Sequence, residues 1–85
     1  MKPTIGRIVI VPVDPARNNG ADVAPAVITR VWNDTCINVR VLLDGPDTEW
    51  KTSLKLCPDA DTMWDTHTST DASRPPHAAY WPPRV

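Results

Sequence analysis

Three runs in the middle of the chain alternate between two sets of side chains, as β-strands do. The runs cover residues 25–32, 36–43 and 48–56. Because successive strand residues point to opposite faces of a sheet, one set of each run should lie against a core. The segments 33–35 (NDT) and 44–47 (DGPD) separate the runs with residues that favour tight turns. The pattern predicts a three-stranded antiparallel meander.

The faces of this meander follow from the same period of two. If Val27, Thr29 and Val31 form the inner set of the first strand, then Ile28, Arg30 and Trp32 lie on its outer face. In the third strand Glu49, Lys51 and Lys55 fall on the face opposite Trp50, which is the usual pattern of a solvent-facing side, with phosphate contact as the alternative. The alternation does not decide on which side of the sheet Trp50 lies.

The flanking segments extend the meander to a barrel. Residues 4–13 read as a further strand, with apolar side chains on both faces from Ile8 to Val11. Residues 14–23 form a long loop that either carries function or is a simple excursion. Residues 58–77 have no periodicity and predict an irregular loop, and the aromatic residues at 79–82 predict a last short strand that docks on the others. We therefore expect a single all-β domain over residues 1–85, a small SH3-like antiparallel barrel of about five strands.

Composition limits how such a barrel can be stabilised. A chain of 85 residues buries a small core, so the fold must be compact or supported by self-association, and we expect a homo-oligomer. The four tryptophans cannot all be buried at low cost. The net charge of −1 argues against direct binding of duplex nucleic acid, which draws its affinity from surplus Lys and Arg.

The two cysteines, Cys36 and Cys57, lack the spacing of a zinc site. A disulfide between them is possible but not implied. The first residues carry no secretory signal, and no apolar run is long enough to span a bilayer, so we expect a cytoplasmic protein with two reduced thiols.

Two pairs of cationic and aromatic residues are the candidate ligand-binding residues. Arg30 with Trp32, and Trp81 with Arg84, could stack on a nucleobase and hold a phosphate. Docking of the C-terminal segment beside the meander would bring the pairs together. The alternatives are that Arg30 stacks on a tryptophan to cover the core, or that the face is a subunit interface, where Trp and Arg are enriched.

No set of residues predicts catalysis, a metal or a cofactor. His67 and His77 have no partner at metal-ligand spacing. Ser53, Ser69 and Ser73 lack the sequence context of a nucleophile, and three glycines do not form a phosphate-binding loop. We therefore expect a binding protein that is not an enzyme.

Four segments of the chain carry a resemblance to known proteins: residues 2–9 (KPTIGRIV), 25–34 (PAVITRVWND), 37–53 (INVRVLLDGPDTEWKTS) and 81–85 (WPPRV). In these segments the chain resembles a family of small proteins of tailed bacteriophages and prophages. Residues 59–76 depart from the family pattern. The resemblance implies a phage origin and a small β fold, and no activity can be inferred from it.

Together these observations favour a phage accessory binding protein acting in the host cytoplasm. The sharpest hypothesis is an anti-defence protein that sequesters a nucleotide-derived immune signal, held between subunits by Arg30, Trp32, Trp81 and Arg84. One alternative is a module that binds a host or phage protein through a Trp-rich face or an unpaired strand edge. Another is a structural or DNA-metabolism accessory protein.

Overall fold

Five strands close into a barrel in the computed structural model, which describes residues 2–66 and 75–83. Neighbours around the barrel follow the order of the chain, and the first strand meets the last. The predicted small all-β barrel of about five strands is confirmed. The strands are β1 (Ile8–Pro12), β2 (Val23–Asn33), β3 (Cys36–Leu42), β4 (Thr48–Cys57) and β5 (Ala78–Tyr80); a 3₁₀ turn covers Pro15–Arg17, and a helix, α1, covers Ala60–Thr66.

The strand pairs are antiparallel except where β5 meets β4. β5 runs parallel to β4, with Lys55 opposite Ala78, and antiparallel to β1, with Ile10 opposite Tyr80. A parallel pair needs a long crossover connection. Residues 58–77 supply it, which lets β5 seal the barrel instead of extending the meander as a hairpin.

The core is lined by alternate residues of the long strands. Ile37, Val39 and Val41, which form one alternation set of β3, are fully buried. In β1 only one of the two apolar sets is in this core, because Ile8 is 44% exposed and Ile10 packs instead on a second cluster under α1. The main core therefore draws on every strand: Val9, Val11, Val13, Ala24, Ala26, Ile28, Ile37, Val39, Val41, Leu43, Leu54, Leu56 and Ala79.

The loop between β1 and β2 is tied to the turn between β3 and β4 through Asn18. The side chain is 2% exposed, and its Nδ2 donates hydrogen bonds to the carbonyl oxygens of Ala21 and Val23 at 3.0 and 2.9 Å. Its Oδ1 accepts a hydrogen bond from the backbone N–H of Asp44 at 2.6 Å. Arg17 of the same loop lies 3.2 Å from Glu49 of β4. The long loop is therefore part of the packed structure.

The segment predicted as an irregular loop over 58–77 contains the helix α1. Asp59 precedes it and accepts a hydrogen bond from the backbone N–H of Thr62 at 2.8 Å, which satisfies one of the unpaired donors at a helix start. Met63 of α1 is fully buried with Cys57, Ala78 and Tyr80. A helix of seven residues is too short for its apolar positions to show a period of 3.6 in the sequence. It is therefore recognised only in the tertiary structure, where Met63 is buried.

The tryptophans differ in how far they are buried. Trp32 and Trp50 are 51% and 53% exposed, while Trp64 and Trp81 are partly buried against the two clusters. The Lys51 side chain, expected on a solvent-facing side, is only 15% exposed and lies 3.9 Å from Glu49. Trp50 therefore takes the outer face of β4, and Lys51 the inner side at one end of the barrel.

Within residues 2–66 and 75–83, no helix has the length and apolar character needed to cross a membrane. The two cysteines are not joined: Cys36 is partly exposed and Cys57 is buried, both as free thiols, as the sequence favoured.

Replacing Met63 by alanine tests whether α1 is an integral part of the fold. The substitution leaves a cavity under the helix, and we expect a loss of about 2–5 kcal/mol in the free energy of unfolding, measured by urea denaturation. Asp65→Ala, at an exposed position of the same helix, should change it by less than about 0.5 kcal/mol. Equal stability of the two variants would mean that the helix does not pack on the barrel.

Candidate functional site

Two bulges in β2, each with one residue more than the paired segment of β3, determine which of its side chains point away from the core. The pairing with β3 shifts register at Thr29 and again at Trp32. Such bulges oppose two residues to one and reverse the inward and outward alternation beyond them. Ile28 lies in the core before the first bulge and Val31 packs against it afterwards, while Arg30 is exposed.

The predicted inner set of this strand is therefore wrong at Val27 and Thr29. The buried positions before the bulge are Ala24, Ala26 and Ile28. Arg30 and Trp32 nevertheless lie outside the core, as predicted, because the bulge changes the alternation between Ile28 and Arg30. The prediction of their exposure was correct, and the bulge is the physical reason for it.

Arg30 and Trp32 form a cation–π pair on the outer surface. The guanidinium carbon, Cζ, of Arg30 lies 4.0 Å from the centroid of the Trp32 ring. This is close to stacking distance, and both side chains remain open to solvent. Among the residues that the structure describes, no carboxylate forms an ion pair with Arg30. The pair thus presents an aromatic surface and a formal positive charge together.

The orientation of Trp32 is set by a buried amide, that of Asn38 in β3. The indole N–H of Trp32 donates a hydrogen bond to Oδ1 of Asn38 at 2.9 Å. The same oxygen accepts hydrogen bonds from the Thr52 hydroxyl at 2.9 Å and from the backbone N–H of Ser53 at 2.8 Å. Asn38 is 6% exposed, so these bonds replace the water that its oxygen loses on burial.

A bulge in β4 places the donors around Asn38. Thr52 and Ser53 together oppose the single residue Asn38, because Ile37 pairs with Leu54 and Val39 pairs with Lys51. Ser53 has a φ of 57°, a conformation that is uncommon for residues other than glycine. It turns the Ser53 N–H toward the amide oxygen, so that the backbone of β4 and the side chain of Trp32 share one acceptor.

His77, just before β5, joins the same region. Its Nε2 lies 2.8 Å from the carbonyl oxygen of Thr52, which accepts a hydrogen bond from this ring nitrogen. The bond ties the end of the crossover connection to the bulge in β4. His67, which the sequence analysis considered with it, falls outside the described residues.

Trp81 lies in a different environment from Arg30 and Trp32. Its backbone N–H donates a hydrogen bond to the carbonyl oxygen of Cys57 at 3.3 Å, and its side chain is partly buried against the main core. It forms one wall of a groove that also contains Asp34 and Asp59. Arg84 lies outside the described residues. The structure therefore brings Arg30 to Trp32 and places Trp81 in the groove.

The Cys57 thiol lies in the buried cluster under α1. Burial raises the pKa of the Cys57 thiol, which disfavours the thiolate that a nucleophile requires. In the described part of the chain, no group of three or more His, Cys, Asp or Glu residues could hold a metal ion.

Sequence reasoning missed Asn38, Thr52 and Ser53 as the supports of this site. In the sequence, Trp50, Thr52, Leu54 and Leu56 share one alternation set. In the structure Trp50 is exposed and the two leucines are buried, so the bulge between them becomes visible only there. A polar residue between the apolar Ile37 and Val39 gave no indication of burial, because asparagine on a strand usually faces solvent.

Comparison of the chain with protein-family models, with curated proteins and with solved structures found no match. The resemblance to tailed-phage proteins therefore stays a prediction. The function of the surface has to be inferred from its own geometry.

Asn38→Ala tests the role of the buried amide. The substitution removes the buried amide oxygen that accepts the partly buried hydrogen bond from the Ser53 N–H, and we expect a loss of about 1–3 kcal/mol in the free energy of unfolding. Thr29→Ala, at an exposed bulge residue, should cost less than about 0.5 kcal/mol. Urea denaturation followed by tryptophan fluorescence measures both. An Asn38→Ala variant as stable as the native protein would contradict the proposed support.

Proposed function

We propose that this protein is a binding module without catalysis whose ligand is a nucleotide-type molecule held at Arg30 and Trp32. The observation that carries the proposal is the exposed cation–π pair, 4.0 Å from Cζ to ring centroid, with the indole held by a buried asparagine. A planar ring with attached phosphates matches both halves of the pair, since the ring can stack and the phosphate can accept from the guanidinium.

Rigidity supports this assignment. A tryptophan that is 51% exposed would normally sample several rotamers, and fixing it on binding would cost free energy. The hydrogen bond from Trp32 to Asn38 fixes the ring before any ligand arrives. Because Arg30 has no carboxylate partner within the described residues, a phosphate does not have to displace one.

A second copy of the chain completes the proposal. Arg30 and Trp32 offer one side of a clamp, and the other side of a ligand stacked there would face solvent. A homo-oligomer with the ligand between subunits would cover that side and remove more of the ligand from water. Trp81 and Arg84 were also predicted as clamp residues; Trp81 lies in the groove with Asp34 and Asp59, and Arg84 lies outside the described residues.

The biological setting is also part of the proposal. The resemblance to proteins of tailed phages supports an accessory protein that acts in the host cytoplasm. A small binder without catalysis could act there by holding a nucleotide-derived immune signal away from its receptor, which would make it an anti-defence protein. Sequestration needs affinity and abundance and requires no chemical step.

Thermal denaturation against linear and cyclic nucleotides tests the proposed ligand. A ligand at about 100 times its Kd adds about 2.7 kcal/mol to the stability of the folded state. For a domain of this size, we expect Tm to rise by about 10 °C or more. The rise should be lost in Arg30→Ala and in Trp32→Ala, and Arg30→Lys should show a smaller rise because lysine lacks the planar donor group.

Arg40 and Trp50 provide a matched control. They are paired across β3 and β4 on the outer face and form no described cation–π contact. Arg40→Ala and Trp50→Ala should keep the full rise in Tm. No rise with any nucleotide while all variants are folded, or equal loss at both pairs, would overturn the nucleotide assignment.

A second candidate function, binding of a host or phage protein, is favoured by the outer face of the barrel. Ile8, Val27, Arg40 and Trp50 are paired in one row across four strands, and Ile8 and Trp50 are 44% and 53% exposed. Exposed Trp and Arg side chains are frequent centres of protein interfaces. The described strands close on each other, so this face, and not an unpaired strand edge, would make the contact.

Capture from host lysate with immobilised protein tests this candidate. A partner bound through the outer face should be retained by native protein and by Trp32→Ala, and lost with Trp50→Ala, because a central interface tryptophan typically contributes about 2 kcal/mol or more. Retention by Trp50→Ala at the native level would exclude the outer face as the contact.

A further inference from the structure

A groove at one end of the barrel is not lined by Arg30 or Trp32, the pair on which the proposed function rests. It lies between the turn joining β2 and β3, the start of α1 and the segment after β5. Its volume is about 660 Å³, within the range of about 300–1,000 Å³ that ligand sites occupy. Three chain segments meet there, so the groove exists only because β5 pairs with β4.

One wall of the groove is apolar and stiff. Trp81, Pro82 and Pro83 form it. Trp81 is held by packing on the main core and by its N–H bond to Cys57. The two prolines restrict the backbone that follows. Aromatic and proline side chains in an open groove are the features with which several domains recognise extended peptides.

The rim of the groove is acidic. Asp34, Asp59 and Asp61 line it, and none of the described lining residues is Lys, Arg or His. The backbone N–H of Thr62 donates to Asp59 and lowers the pKa of this carboxyl. The groove therefore repels phosphates, and it differs in charge from the surface at Arg30 and Trp32.

We propose that the groove docks a basic, extended peptide segment of a partner protein, with an arginine side chain between Trp81 and the rim carboxylates. The guanidinium group can stack on the indole face while its N–H groups donate to Asp34, Asp59 or Asp61. Arginine fits better than lysine, because its planar fork serves both contacts together. The inference does not depend on the nucleotide ligand.

A fluorescein-labelled peptide of alternating proline and arginine is the probe. Its binding is followed by fluorescence anisotropy at about 0.15 M salt, where charges beyond about 8 Å are screened. We expect saturable binding by the native protein, weaker binding of the peptide with lysine in place of arginine, and none of the peptide with glutamate. Binding that is equal for the arginine and glutamate peptides would overturn the proposal.

Two double variants with the same change in charge locate the contact. Asp34→Asn with Asp61→Asn removes two rim charges and should weaken binding at least about tenfold, because hydrogen bonds to charged groups contribute that much. Asp47→Asn with Asp65→Asn removes two exposed charges that do not line the groove, and should change the Kd by less than about twofold. Equal weakening in both would show attraction by net charge only and would contradict a site.

Further variants distinguish docking in this groove from binding elsewhere on the protein. Arg30→Ala and Trp32→Ala should leave peptide affinity unchanged even if they abolish nucleotide binding, so that the two proposals fail independently. Trp81→Tyr keeps an aromatic ring on the core and should weaken binding less than Trp81→Ala. If the protein is a dimer that dissociates when Asp34 and Asp61 are neutralised, the groove is occupied by a second copy of the chain. If Arg84→Ala binds the peptide more tightly, the groove is occupied by the chain's own end. Either result would overturn the proposal.

Discussion

The carbonyl oxygen of the Asn38 side chain is the point on which the described surface depends. It is buried between two strands, and it accepts hydrogen bonds from Trp32, Thr52 and Ser53. A buried amide oxygen without partners would cost free energy, so the bulge that supplies the Ser53 N–H and the tryptophan that supplies the indole N–H are favoured together. One polar atom in an apolar barrel thus fixes a kink in β4 and a side chain on β2.

The bulges also determine which side chains face solvent and which face the core. On β2 they leave Arg30 and Trp32 in solvent while Ile28 and Val31 stay against the core. On β4 the bulge at Thr52 and Ser53 keeps the two leucines inside and Trp50 outside. A barrel this small cannot bury four tryptophans. Those that stay exposed lie beside a cation or on the outer apolar face, where contact with another molecule would stabilise them.

The crossover connection contributes the rest of the surface. α1 inserts Met63 beneath β5 and builds a second small core with Tyr80 and Cys57, which holds β5 parallel to β4. This pairing brings the segment that begins at Trp81 beside the acidic turn and the helix start, so the groove follows from the closure of the barrel. The cationic pair therefore lies on one strand of the meander, whereas the acidic groove forms where the turn between β2 and β3, the start of α1 and the segment after β5 meet.

The sequence by itself determined a small all-β barrel, with three strands in the meander, one before it and a short one near the end of the chain, because local alternation and turn chemistry act over a few neighbouring residues. It also indicated that Arg30 and Trp32 are exposed, although the assumed inner face of β2 was wrong. The tertiary structure decided where the alternation reverses, that Asn38 is buried, that Ala60–Thr66 form a helix, and that Trp81 lines a groove with Asp34 and Asp59. Each of these depends on hydrogen bonds or packing between segments far apart in the chain, and no local pattern records which distant donor will satisfy a buried acceptor.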